Sequence, residues 1–246
     1  MQDTMPTPRI LDRDIFWILK APVERRHWRA LWGLLTKVEP GPETLRRYLS
    51  QRGAYPWDVK LRTPAGSVPV RLYSRHDLLT VNEIFCRMDY GEEAPALVID
   101  IGANIGLAAL FWLTRRQDSR VWCYEPNPEN IPRLRQTLSG YERRYEVVEA
   151  AVGPVATRAR FTFDDSGRYG RLSDELDLGA EVEVAVLALR EELARVEGKE
   201  GHSVDLLKID TEGTEPELLA SLPPGSPPVL WEDNGRVKRT PALRSI

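Results

Sequence analysis

The sequence predicts an α/β domain built on a mainly parallel, doubly wound sheet, preceded by a helical segment and a β-hairpin. Three observations carry this. Residues 97–107, LVIDIGANIGL, read as an apolar strand ending at an acid, a glycine turn, and the start of a helix (residues 108–113 continue it). Apolar strand patterns then alternate with helical ones as far as Trp231, as in sheets with helices on both faces. The chain of 246 residues, 42% hydrophobic, is long enough for one such domain and an accessory segment.

The elements follow in order. Residues 1–8 hold two prolines and read as a loose terminus. Ile10, Leu11, Ile15, Phe16, Ile18 and Leu19 suggest a short helix, and Trp28, Leu31, Trp32, Leu35 and Val38 a second. The run 43–52 predicts a third, closed by Gly53. Trp17, Trp28 and Trp32 form an aromatic stripe expected to pack against the catalytic domain, with a partner-docking face as the lesser reading. Residues 59–62 and 68–72 flank Pro64-Ala65-Gly66-Ser67 as a hairpin, with Pro69 marking an edge strand. The segment 74–87 reads as one helix. Strands are expected at 121–124, 145–148, 160–163, 182–187, 204–209 and 229–231, and helices around 131–138, 191–196 and from 217. The boundary between the N-terminal helical segment, 1–56, and the main domain, 57–246, is placed before the hairpin.

Composition narrows the function. The net charge is −3 and no basic tract stands out, which argues against nucleic acid. The two cysteines, Cys86 and Cys123, lack metal-ligand spacing and read as buried free thiols of a reducing compartment. The apolar run 10–19 is broken by Asp12, Arg13 and Asp14, so no secretory signal is expected. No segment has the length of an uninterrupted membrane span. These readings point to a cytoplasmic protein. They set no oligomeric state.

The turn identifies a ligand class. A dinucleotide fingerprint starting at Gly102 needs glycines at 104 and 107, where Asn104 and Leu107 stand. The Gly-Lys-Ser/Thr of a phosphate loop is absent. What remains, Asp100-x-Gly102-x-x-x-Gly106, suits a ligand with a carboxylate and a cationic group. The helix start would face the carboxylate and Asp100 the cationic side. Gly102 is expected to let the backbone approach the ligand, and Gly106 to let the helix approach the strand. Glu125, 25 residues beyond Asp100 at the end of the next strand, is in register to accept both hydroxyls of a ribose. A nucleoside fits both S-adenosylmethionine (SAM) and a nicotinamide cofactor, and the broken glycine pattern favours SAM.

The motifs taken together resemble the FkbM family of SAM-dependent methyltransferases. They are Ser74, Asp77, Glu83-Ile84-Phe85 and Tyr90, then 98–106, 124–130, 149–153 and 206–215 (LLKIDTEGTE). The resemblance implies a Rossmann-like class I methyltransferase fold and O-methylation of a hydroxyl on a sugar, glycan or secondary metabolite. It implies that Asp100, Gly102, Ala103, Asn104 and Gly106 line the methionine part of SAM. Glu125 and Asn127 would take the ribose, and Glu149, Ala150 and Ala151 would border the adenine. Arg190 stands where the family commonly has an acid, and the tail after Trp231 reads as short.

Methyl transfer to an alcohol needs in-line positioning and a base as the proton leaves. The first and fourth strands of such a sheet are neighbours, which sets Asp210 beside Gly102. Asp210 is the first candidate for base or orienter, Glu212 the second, and Lys208 a residue that tunes both. Asp210 as the cap of the following helix is an equal alternative. No metal is expected, although Asp210 and Glu212 with Glu232, Asp233 or Asn234 could form an oxygen site for Mg²⁺. A nicotinamide oxidoreductase and a non-catalytic methyltransferase-like scaffold are the competing functions.

Overall fold

The structure is a computed structural model that describes residues 9–10, 13–14, 25–163, 170–172, 180–211, 213–233 and 236–241. The chain forms two compact units, residues 1–62 with 67–89, and residues 63–66 with 90–246.

In the first unit β1 (Arg9–Ile10) and β2 (Arg13–Asp14) pair antiparallel. The expected first helix therefore does not begin at Ile10; residues 15–19, with Trp17, lie outside the described residues. Helix α1 (Arg25–Lys37) follows, then β3 (Val38–Glu39) and α2 (Gly41–Ser50). Ala30 and Leu34, one turn apart on α1, are buried. Trp28 and Trp32 are 60% and 70% exposed, and Trp17 lies outside the described residues. Helix α2 stops at Ser50 with Gln51 in the left-handed conformation as its cap, two residues before the expected Gly53.

Strands β4 (Trp57–Thr63) and β5 (Gly66–Leu72) form the hairpin, in the sheet order β3-β4-β5. Pro69 thus lies on an edge strand, where a missing N–H costs no ladder bond. Helix α3 (Arg75–Val81) starts at a capping box. The Ser74 hydroxyl accepts from the Asp77 N–H, and the Asp77 carboxylate accepts from the Ser74 N–H. The helix passes at Asn82–Cys86 into a π-helical turn rather than continuing as α-helix to residue 87.

The second unit holds the expected sheet. Strands β6 (Leu97–Ile101), β7 (Arg120–Tyr124) and β8 (Tyr145–Val148) alternate with α4 (Leu107–Leu113) and α5 (Asn130–Thr137). The chain next enters a second sheet made of β9 (Ala151–Gly153), β10 (Thr157–Phe163), β11 (Gly170–Leu172) and β12 (Ala180–Ala188), in the order β11-β10-β12-β9. It returns through α6 (Leu189–Glu200) to β13 (Leu206–Ile209), α7 (Glu215–Ser221), β14 (Val229–Asp233) and β15 (Arg236–Thr240). The main sheet has the order β15-β14-β13-β6-β7-β8. Every pair in it is parallel except β14 with β15. The tail expected to be short thus supplies an antiparallel edge strand. This is the Rossmann-like architecture predicted.

Alternation explains the core. Leu97, Ile99 and Ile101 of β6 share a face with Leu207 and Ile209, Trp122 and Tyr124, and Leu189, Leu193 and Val196 of α6 pack on it. Val98 and Asp100 face the other way. Winding runs outward from β6 through β7 to β8, then crosses back to β13 on the other side of β6. The strand order reverses between β6 and β13, and a crevice opens beyond the carboxyl ends of such a pair.

Candidate functional site at the sheet's switch point

Asp100 and Lys208 are cross-strand neighbours on β6 and β13. Both are buried, at 0% and 4% exposure. The Lys208 ammonium lies 3.0 Å from Asp100 Oδ1 and 3.4 Å from Asp210 Oδ2, and donates to the Gly102 carbonyl at 2.6 Å. Burial works against its charge, but Asp100, Asp210 and Tyr90 outweigh burial and raise its pKa, so it stays an ammonium. Burial pushes the Asp100 carboxyl above its ordinary range and the ammonium pulls it back. The ammonium lies at hydrogen-bonding distance from Oδ1, and Asp100 Oδ2 receives no hydrogen bond among the described residues. A buried carboxylate in that state has room for a donor it does not have.

The glycine turn is fixed from two sides. Gly102 has φ +74°, and a Cβ there would run into the Asp210 carbonyl oxygen. A side chain at 102 would thus collide with the residue that follows β13 before any ligand is considered. Gly106, φ +83°, faces Leu134 and Leu138, so its missing side chain admits helix α5 and the residue that follows it, not the strand. Asn104 is also left-handed, at φ +48°.

Glu125 closes the turn. It is 4% exposed and accepts from the Asn104 N–H at 2.7 Å and the Asn127 N–H at 2.9 Å. The Asn130 amide is a third donor at 3.4 Å. Burial raises its pKa to about 7, against those donors and Lys208. Oε2 carries one of these bonds and Oε1 two, so the group keeps acceptor capacity.

The remaining expected residues divide. Ala103 is buried in the turn. Ala150 and Ala151 are buried after β8, and Ala151 opens the second sheet. The Glu149 side chain is 58% exposed and pairs with Arg135 at 2.9 Å. Asp210 is not a helix cap, because α7 begins at Glu215 with Thr214 before it. The Glu215 carboxylate instead accepts from the N–H groups of Thr211 and Gly213. Glu212 and Asn234 lie outside the described residues, as does the Asp233 side chain. Among the described residues no group of three or more His, Cys, Asp or Glu could hold a metal ion.

A shallow cleft opens beside this cluster, lined by Tyr90, Lys208, Asp210, Trp231, Glu232 and Val237. Tyr90 is held there by stacking on Trp112, with centroids 5.7 Å apart and planes 22° apart. Sequence reasoning did not assign Tyr90, Trp231 or Val237 to the site. Tyr90 was visible only as part of the family pattern. Val237 lies on β15, whose alternation in RVKRT was the available signal.

Residues 100–227 match the model of the Methyltransferase FkbM domain, more than half of the chain. The chain belongs to the FkbM methyltransferase family. It is 28% identical over 176 residues to AMB antimetabolite synthetase AmbE of Pseudomonas aeruginosa, covering 58% of this chain and 8% of that protein. It is 26% identical over 197 residues to 31-O-demethyl-FK506 methyltransferase FkbM of Streptomyces tacrolimicus, covering 66% and 75%. Among solved structures, methyltransferase FkbM from Methylobacillus flagellatus covers 79% of this chain and 50% of its own, with 15% identity and a TM-score of 0.39. The chain thus spans a small part of AmbE and half of the M. flagellatus protein. The FkbM domain begins at Asp100 and includes the turn, Glu125, Lys208 and Asp210.

Proposed function

We propose that this chain is a SAM-dependent O-methyltransferase that binds SAM at the switch point and a hydroxyl acceptor in the adjoining cleft. The observation that carries the reading is the junction of β6 and β13, which brings Asp100, Gly102, Lys208 and Asp210 together. The residues fit the cofactor. Asp100 offers the SAM ammonium a buried carboxylate oxygen, Oδ2, that receives no hydrogen bond among the described residues. Glu125 offers spare acceptor capacity to the ribose, with Asn127 beside it, and the turn 102–106 would border the methionine. Glu149, Ala150 and Ala151 are the expected adenine border. Bound SAM supplies an electrophilic methyl group on a sulfonium.

The chain's residues do the rest by positioning. Lys208 holds the Gly102 carbonyl and the Asp210 carboxylate in one frame, so turn and acceptor-side acid keep a fixed relation. Asp210, with its side chain 36% exposed at the cleft, is the group to take the hydroxyl proton or orient the hydroxyl, with Glu212 as second candidate. Tyr90 and Trp231 give the cleft flat apolar walls for a ring. The relative from S. tacrolimicus, named for methylating an O-demethyl compound, supports an oxygen acceptor.

Calorimetry with SAM, S-adenosylhomocysteine and NAD tests the cofactor. Binding of the first two at one per chain, and no binding of NAD, is the expected result; NAD binding alone would reverse the assignment. Methyl-labelled SAM with a panel of sugars and polyketide alcohols tests turnover. Cofactor binding with no transfer to any of them would favour the scaffold.

A further inference from the structure

Helix α7 opens on a buried carboxylate that reaches back along the chain. Glu215 Oε1 accepts from the Thr211 N–H at 2.7 Å and from the Thr211 hydroxyl at 3.1 Å, and Oε2 accepts from the Gly213 N–H at 2.9 Å. The Thr214 hydroxyl adds a bond to Thr211 Oγ1 at 2.8 Å. The three donors on Glu215 all precede the helix, so its carboxylate secures the chain between Asp210 and α7. The first piece of that chain is the Asp210–Thr211 peptide. A trans peptide is planar, and its N–H and C=O point in opposite directions. Its N–H goes to Glu215. Its carbonyl oxygen, from Asp210, lies 1.8 Å from the place a Gly102 Cβ would take. The Asp210 N–H is bonded in turn to the Ile101 carbonyl at 3.1 Å. One peptide is thus held between Glu215 and the Gly102 turn.

We infer that Glu215 is a positioning residue for the cofactor turn: it holds the Asp210–Thr211 peptide against Gly102 and so fixes the backbone that would border SAM. The inference rests on the placement of SAM at this turn. Gly102 has no side chain with which to hold itself, so its position is set by what lies against it. Lys208 holds its carbonyl, and the Asp210 carbonyl, kept in place by Glu215, bounds its Cα. The tether is strong, because hydrogen bonds to an ionised acceptor are about twice as strong as neutral ones. It also needs a carboxylate. Three donors share two accepting oxygens, whereas an amide of the same size accepts at one oxygen and brings N–H groups of its own.

The test is calorimetry of the full chain with S-adenosylhomocysteine, wild type beside Glu215→Gln, Glu215→Ala and Leu218→Ala. Both Glu215 variants should bind at least ~5-fold more weakly, and Gln, which keeps one accepting oxygen, should lose less than Ala. Leu218 is buried on the same helix and makes no part of the tether. Leu218→Ala should lower the melting temperature and leave affinity within about 2-fold, because a cavity under α7 does not release the peptide. Thr211→Val keeps the N–H and loses the hydroxyl, and a loss of roughly 2- to 3-fold there decides the matter if the Glu215 variants fold poorly. Affinity unchanged in the Glu215 variants, or in Thr211→Val where they do not fold, overturns the inference alone. An equal loss of affinity in Leu218→Ala also overturns it, since helix stability would then be what the measurement reads. A wild-type chain that binds no S-adenosylhomocysteine defeats the cofactor assignment itself, and the inference falls with it.

Discussion

Asp210 pairs with Lys208 at 3.4 Å and lines the cleft, so in the proposed role it is both held in place and reachable. Asp210→Asn keeps the size and hydrogen-bonding shape of the side chain and removes only its basicity. Because Asp210 caps no helix, the melting temperature should stay within a few degrees of wild type, and S-adenosylhomocysteine should bind nearly as well. Single-turnover transfer to an identified acceptor should fall about 10²–10⁴-fold; full activity would pass the role to Glu212. Gly102 makes the opposite prediction. Gly102→Ala should lower the urea midpoint even without ligand, because its methyl group would displace the backbone of Asp210. A variant that is stable and impaired only in cofactor binding would contradict that account.

At the scale of elements, β6 and β13 are joined by an ion pair as well as by a ladder. Lys208→Met would leave Asp100 buried and charged without its cation, at a cost of about 3–5 kcal/mol. Adding Asp100→Asn should recover a large part of this, so a double-mutant cycle by urea unfolding should show strong coupling. Near-additive losses would mean that the pair contributes little. The ladder itself was legible in the sequence. The apolar run and glycine turn at 97–107 announce β6, and strand order alone places Asp210 beside Gly102. What the sequence hid was side-chain direction and satisfaction. Lys208 gives no sign in one dimension that its ammonium reaches back to the Gly102 carbonyl. Glu125 was read as facing a ribose, and it also holds the N–H groups of its own turn. In β15, RVKRT reads as a charged tail because an edge strand with a polar outer face carries little apolar pattern. The tryptophans of α1 have helical spacing whichever way they point, and only the fold shows them exposed.

Across the whole molecule, Glu125 makes stability depend on pH. Its pKa rises from an ordinary 4.5 to about 7 on folding, so between these values the folded chain binds more protons than the unfolded one. The associated stability is fully present below pH ~4.5 and is lost as pH rises through ~7, on the order of 3 kcal/mol at 1.36 kcal/mol per unit. Urea unfolding between pH 5 and 8 should therefore show wild type losing stability relative to Glu125→Gln. Parallel curves would show that the carboxyl titrates normally.

The ammonium of Lys208 reaches the Gly102 carbonyl across 106 positions of the chain, and this bears on synthesis. A nascent chain that has emerged only as far as β12 already contains β6, the turn and Glu125. It still lacks the cation that lets Asp100 leave water, and an uncompensated buried carboxylate is among the costliest groups in a protein interior. The turn therefore waits for β13 to clear the ribosome. Pulse proteolysis of stalled chains should find the 97–107 segment cleavable until residues beyond 209 are exposed, and protected thereafter.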